Sequence, residues 1–383
     1  MTTATERRDS PFSEEEEDCR EVIRAFLDAE LEPNHDKFVG DLDYDREFWR
    51  KAGRAGILGA TIPEDLGGPG LDPSVSIILS QELGRSIGAA TIGSSLEADL
   101  ATHMMVDHAS QAWRERLAPK ILAGEVLQSV AMTEADAGSD VTAIRTTAVR
   151  DGDDYVVNGT KIFISNANKA DIIYVAVKTD PTKRGRGMSL LLVEADSPGI
   201  TRSPLKTMGC AAYDVAELHF EDVRVPVANL MGEEGTAMSM LMGTLMLDRL
   251  QISARALGEA ELALRLTLDH VKDRQAFGQP IFDFQNTQFV LADMKTEIEA
   301  GRALLHDGVR RMKAGTLEHQ HASMVKLWVT QMSGRVIDRA LQLFGGYGFM
   351  DEMPISRVYT ANRIHRLYVG TDEMQKITIA RSL

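Results

Sequence analysis

Cysteine is nearly absent from this chain: there are two in 383 residues, Cys19 and Cys210. Two thiols so far apart make neither a disulfide framework nor a paired metal-ligand motif. No apolar run approaches the ~20 residues of a membrane span, and the opening MTTATERRDSPF lacks the apolar core of a signal peptide. Positive charge is also in deficit. Lysine and arginine total 42 against 57 aspartates and glutamates, a net charge of −15, which argues against general binding of nucleic-acid backbones or anionic membranes. A hydrophobic content of 44% excludes disorder as the main state. These absences imply a soluble protein of a reducing compartment, expected in the cytoplasm, with two or three domains of ~100–200 residues.

Residues 1–12 read as a polar tail. Ser13 and Glu16 spell a capping box ahead of Ile23, Phe26 and Leu27 at helical spacing, and Pro33 is expected to close that helix. Phe48, Trp49 and Ala52 mark a second helix. After the Gly/Pro loop at 62–72, Asp72 and Pro73 read as N-cap and first residue of a third, with Val75, Ile78, Leu79 and Leu83 buried. The pattern then changes. Short β-branched segments lie at 128–132, 143–150, 154–157, 159–164, 172–177, 188–193 and 217–225, and DGDD (151–154) and NG (158–159) predict tight turns between them. Long helical patterns return at 238–273, 283–312 and 317–344. The expected fold is α+β multidomain: an N-terminal helical domain (13–125), a middle antiparallel β domain (126–236) and a C-terminal four-helix bundle (237–383). It lacks the β–α alternation of a doubly wound sheet.

Five segments can carry chemistry. MTEADAGSD (132–140) leaves a strand for a loop with hydroxyls and Gly138, which suits close approach to a polar ring or phosphate; it reads equally well as a turn-rich connection. In GTKIFISNA (159–167), Phe163 and Ser165 share one strand face, an aromatic beside a hydroxyl, and locally a core-filling Phe is the favoured reading. DRQAFGQPIFDFQ (273–285) breaks a helical pattern at Arg274, whose planar fork suits a diphosphate or, more plainly, solvent. QLFGGYGFM (342–350) has more glycines than a helix cap needs. YVGTDEMQK (368–376) places Thr371 as N-cap of the last helix, with N–H groups suited to an anion or carbonyl.

In this order and register, from about residue 15 to the end, these segments resemble the acyl-CoA dehydrogenase superfamily. The resemblance implies FAD between the β domain and the C-terminal helices. Met132, Thr133, Gly138 and Ser139 match the family's flavin loop, Thr133 facing the flavin's pyrimidine edge and Ser139 the phosphate and bound thioester. Phe163 stands where most members have a tryptophan against the flavin, and Ser165 where a hydroxyl reaches flavin N5. Arg274, Phe277 and Gln285 match the group that reaches a neighbouring subunit's FAD, Gln342, Gly345 and Gly346 its adenosine-diphosphate contacts, and Thr371 and Glu373 the last FAD contacts. Leu247, Arg249, Ser139 and Gly370 fall at substrate-facing positions. The resemblance further implies a homotetramer built from dimers and an electron-transferring flavoprotein as acceptor.

One departure stands out. The family's common C-terminal motif is Tyr-Glu-Gly-Thr, whose glutamate removes the α-proton of the thioester. Here it is Tyr368-Val369-Gly370-Thr371, and valine accepts no proton. Long-chain and isovaleryl members instead carry Glu-Arg-Leu on an earlier helix, matched here by Asp248-Arg249-Leu250. Aspartate is a poor mid-helix residue, and Asp248 sits in the apolar stretch MLMGTLMLDRLQI. The resemblance thus implies α,β-dehydrogenation of an acyl-CoA with Asp248 as base and the Val369 N–H on the thioester carbonyl. A structural ion pair is the plainer reading of Asp248. A carrier-protein-linked acyl dehydrogenase, a flavin monooxygenase and a non-catalytic FAD-binding homologue stand as alternatives. Glu97, Asp99 and His103 are expected to face solvent.

Overall fold

The computed structural model describes residues 10–97 and 99–383, without the Asp99 side chain, so most of the expected tail lies outside the described residues. The Ser13 capping box closes in both directions, Glu16 N–H to Ser13 Oγ at 3.3 Å and Ser13 N–H to the Glu16 carboxylate at 2.6 Å. It starts α1 (Glu14–Phe26). Pro33 does not end the helical path. A π turn (Leu27–Leu31) and a 3-10 turn (Glu32–Asn34) carry the chain into α2 (His35–Asp41), with Pro33 in a first turn, where its missing N–H breaks no bond. Asp45 caps α3 (Arg46–Arg54). The Asp72 carboxylate accepts the Ser74 N–H at 2.8 Å, so α4 (Ser74–Gly84) begins one residue later than expected, and all its residues are buried. Helices α5 (Ala89–Ile92), α6 (Asp99–His108) and α7 (Gln111–Leu122) complete the first part.

The middle part is one eight-stranded sheet: β1 (Gln128–Ala131), β2 (Thr147–Asp151), β3 (Asp154–Ser165), β4 (Ile172–Lys178), β5 (Met188–Glu194), β6 (Ile200–Pro204), β7 (Val215–Pro226) and β8 (Leu230–Met231). The order is β6-β7-β3-β2-β4-β5-β8, with β1 also on β4. The pairings are antiparallel except β1 with β4 and the single β2–β4 contact, Thr147 opposite Lys178. DGDD makes the expected turn. Asn158-Gly159 does not: it lies inside a continuous β3 at a bulge against β7. Gly159 is required there because a Cβ would fall 2.5 Å from Thr146 Oγ1. Strands β6 and β8 were not expected; one is partly exposed and the other has two residues, so neither shows a clear alternation.

The C-terminal part has three long helices, α8 (Ala237–Asp273), α9 (Gln285–Lys313) and α10 (His319–Phe344), with two short ones, α11 (Pro354–Asn362) and α12 (Asp372–Ala380), on α10. A small hairpin, β9 (Gln275–Ala276) with β10 (Gln279–Pro280), joins α8 to α9. Helix α8 also binds the N-terminal part. It crosses α4 at paired glycines: a Cβ on Gly258 would fall 2.3 Å from the Gln81 carbonyl oxygen, and one on Gly84 2.2 Å from that of Arg255. Backbone atoms cannot move aside as a side-chain tip can. Gly258→Ala, which helix propensity alone would favour by about 1 kcal/mol, is therefore expected to destabilise by about 1–3 kcal/mol, read as a lower urea midpoint.

Candidate active site

The loop after β1 is anchored by a buried lysine. Lys161 of β3 is fully buried and donates to the Met132 carbonyl at 2.9 Å and to Glu134 Oε1 at 2.8 Å. Glu134 also accepts the backbone N–H groups of Arg145 (2.6 Å) and Thr146 (2.9 Å). Burial pushes the Lys161 pKa down to about 8 against the pull of Glu134. Burial raises the Glu134 carboxyl, but Lys161 and the backbone donors bring it below its ordinary value. The Thr133 carbonyl accepts the Ile162 N–H at 2.9 Å. With its root held so firmly, the loop leaves Gly138 and Ser139 exposed, and no atom stands within 4 Å of a Cβ built on Gly138.

Phe163 does not fill the core. The register shift between Lys161 and Ile164 is a bulge, Phe163 takes φ 61, and the side chain is 66% exposed. An aromatic residue in the left-handed region is uncommon and needs its surroundings to hold it. Ser165, two residues on, is partly buried, its carbonyl accepting the Ser129 hydroxyl at 2.6 Å.

The loop at 368–371 faces another buried lysine. Lys326 of α10 is fully buried and donates to the carbonyls of Tyr368 (2.8 Å) and Gly370 (2.5 Å). Gln375 donates to those of Val369 (3.2 Å) and Gly370 (2.8 Å). All three carbonyls of Tyr368–Gly370 thus turn toward donors, and Val369 takes φ 51, rare for a β-branched residue. No hydrogen bond is made by the Val369 N–H among the described residues. Thr371 caps α12, accepting the Met374 N–H at 3.4 Å, and Glu373 is exposed in its first turn. Sequence reasoning missed Lys326; its one signal was a lysine on the apolar face of SMVKLWV.

Asp248 and Arg249 are both buried on α8, with Leu247 partly buried beside them. The Arg249 guanidinium reaches the His319 carbonyl at 3.4 Å. Burial lowers the Arg249 pKa and the Asp248 charge opposes that. Seven residues on, on the same helix face, lies Arg255. It pairs with Glu97 at 3.5 Å and Glu259 at 3.2 Å and donates to the carbonyls of Ala89 (2.8 Å) and Gly93 (3.3 Å). Glu259 meets His365 at 3.0 Å, and His365 the Tyr368 hydroxyl at 2.9 Å. Glu97 therefore points inward, contrary to expectation, because Arg255 draws it there; burial raises its carboxyl pKa. His103 is also partly buried. Asp99's side chain is outside the described residues.

The other predicted residues gather elsewhere. Arg274 ends α8 with its guanidinium 6.0 Å above the Tyr347 ring, and His270 stacks on Phe344 at 4.1 Å. Phe277 takes φ 52 and is 97% exposed. Gln285 and Gln342 are exposed, and nothing stands within 4 Å of a Cβ built on Gly345 or Gly346. Asp248 and Arg274 lie 26 residues apart on one helix, about 39 Å at 1.5 Å per residue. The predicted residues thus fall in two groups, one about a third of the way along α8 and the other at its C-terminal end.

The comparisons agree along the whole length. Acyl-CoA dehydrogenase models match at residues 13–125 (N-terminal domain), 129–223 (middle domain) and 235–383 (C-terminal domain). The long-chain specific acyl-CoA dehydrogenase of Sus scrofa mitochondria is 36% identical over 375 residues, covering 97% of this chain and 87% of the relative. The chain belongs to the acyl-CoA dehydrogenase family. A crystal structure of an acyl-CoA dehydrogenase from Geobacillus kaustophilus superposes with a TM-score of 0.93 at 40% identity, covering 97% of this chain and 98% of that one. A glutaryl-CoA dehydrogenase from Mycobacterium smegmatis, solved with FADH2, does so at 0.89 and 26%, covering 97% and 95%. The family's proteins are FAD-dependent oxidoreductases. The donor set fits that cofactor: an outward aromatic at Phe163, the hydroxyls of Thr133, Ser139 and Ser165, and glycines with open space above them. Lys161→Met leaves Glu134 buried without its cation and is expected to cost about 3–5 kcal/mol. Thermal unfolding of the purified variant, with its FAD content, checks this.

Proposed function

We propose that this protein oxidises an acyl-CoA to the trans-2-enoyl-CoA, with Asp248 as the base. The observation that carries the reading is the pairing of a buried carboxylate at 248 with an aliphatic side chain at 369. The thioester carbonyl accepts the Val369 N–H, which the three inward carbonyls of its loop leave available. That bond stabilises enolate-like charge and acidifies the α-carbon. Asp248 takes the α-proton, and before it does so its charge favours the buried Arg249 cation beside it. Bound FAD supplies the acceptor for the β-hydrogen, which leaves as hydride. Met132, Thr133, Gly138, Ser139, Phe163, Ser165, Thr371 and Glu373 hold the cofactor, Ser139 near its phosphate.

Arg274, Phe277, Gln285, Gln342, Gly345 and Gly346 serve a second subunit. The separation of about 39 Å along α8 is too great for one cofactor to reach both ends in one chain, so the reading requires at least a dimer, within the expected homotetramer. Domain boundaries at 125/126 and 236/237, an electron-transferring flavoprotein as acceptor and a cytoplasmic location complete the proposal. A carrier-protein-bound acyl group would undergo the same chemistry.

Anaerobic mixing with acyl-CoAs of graded length is expected to bleach the flavin with at least one of them. Asp248→Asn, nearly isosteric, is expected to slow that bleaching by about 10²–10⁴-fold with FAD content unchanged. Bleaching at the parent rate would remove Asp248 from the role, and no bleaching by any acyl-CoA would remove the dehydrogenase reading.

A further inference from the structure

The loop between β6 and β7 carries a phenol that the chemistry above does not use. Tyr213 Oη lies 2.6 Å from Ser165 Oγ and 2.7 Å from Ser94 Oγ. Its ring packs directly on Gly93, where a Cβ would fall 2.7 Å from the ring's Cγ. Three segments distant in sequence therefore meet at one hydroxyl. The loop is held in place by its own backbone and by the next residue. The Ala212 N–H donates to the Thr91 carbonyl at 3.0 Å and the Tyr213 N–H to that of Cys210 at 2.8 Å. The Asp214 carboxylate accepts the backbone N–H groups of Asn168 (3.1 Å) and Lys169 (3.0 Å), while its carbonyl accepts that of Asn166 at 2.7 Å. The phenol thus has a fixed address beside the end of β3.

A serine hydroxyl has three rotamer wells and a freely rotating proton. Ser165 has its carbonyl held by Ser129 and its oxygen held by Tyr213. Burial pushes the Tyr213 pKa up, so the phenol keeps its proton and remains a donor. In a row of three hydroxyls each group donates once, so a Tyr213 proton given to Ser165 frees the Ser165 proton to point away from the row, toward the site. We propose that Tyr213 is a positioning residue that donates to Ser165 and so aims the Ser165 O–H at the reactive edge of the flavin. The inference rests on the reading that FAD binds with that edge at Ser165.

The deciding readouts, the flavin band and the midpoint potential, use the holoenzyme without substrate, so they are independent of Asp248. Tyr213→Phe keeps the ring on Gly93 and removes only the hydroxyl. FAD content is expected to hold, while the visible flavin band and the midpoint potential shift; with a good acyl-CoA, bleaching slows about fivefold to tenfold. Ser165→Ala should give the same spectral shift, and the double variant no more than either alone. Placing 3-fluorotyrosine at 213 retains the bulk, strengthens the donor and should move the band the opposite way, which keeps the test usable if Tyr213→Phe folds poorly. A band and potential unchanged in both Tyr213 substitutions, or effects of Tyr213→Phe and Ser165→Ala that simply add, would overturn the inference. A parent protein that binds no FAD would overturn the function proposal as well.

Discussion

A continuous 37-residue helix cannot fold back on itself, and the layout of this protein follows from that constraint on α8. The helix crosses α4 at paired glycines, which bring backbone to backbone and fix its position against the N-terminal part. From that crossing outward, every functional position on α8 is set by 1.5 Å per residue. Asp248 and Arg255 share a face, and Arg255 meets Glu97 of the N-terminal part and Glu259, which leads through His365 to Tyr368. Arg274 is carried to the far end, beside Tyr347. The separation of Asp248 from Arg274 is thus a property of helix geometry, and the proposed function answers it with a second subunit.

Around this rod, loops are positioned by buried cations. Lys161 holds the loop after β1, Lys326 holds the loop at 368–371, and Arg255 holds the turn after α5. An isolated buried charge is costly, so each must keep its full set of acceptors, and most of those acceptors are backbone carbonyls. The constraint runs both ways: a carbonyl bound to a buried ammonium cannot turn outward. Val369 sits in that held loop with a φ of 51, and its N–H makes no hydrogen bond among the described residues.

The three-part layout was legible because helical periodicity over 20 or more residues is hard to mistake, and the long helices begin and end within two residues of the reading. The capping box at Ser13 was legible because its partners are three residues apart. Asn158-Gly159 misled because strong local turn chemistry was overridden by pairing with β7, far along the chain. Phe163 misled because face alternation holds only in regular strands, and a bulge moves it outward. Glu97, Lys161, Lys326 and Tyr213 could not have been placed from sequence. Their partners lie 27 to 158 residues away, and several are carbonyls, which no sequence marks. Asp248 was visible as an oddity, an aspartate amid apolar residues, and the resemblance supplied its meaning.

The central claim is that the carboxylate of this site sits on α8 because position 369 has none. Moving it tests the claim directly. Bleaching of the flavin by the best acyl-CoA is measured in Asp248→Ala and in Asp248→Ala combined with Val369→Glu. The account predicts that the single variant is slowed by about 10²–10⁴-fold and that the added glutamate restores part of the lost rate. Asp248→Ala reacting as fast as the parent would contradict it.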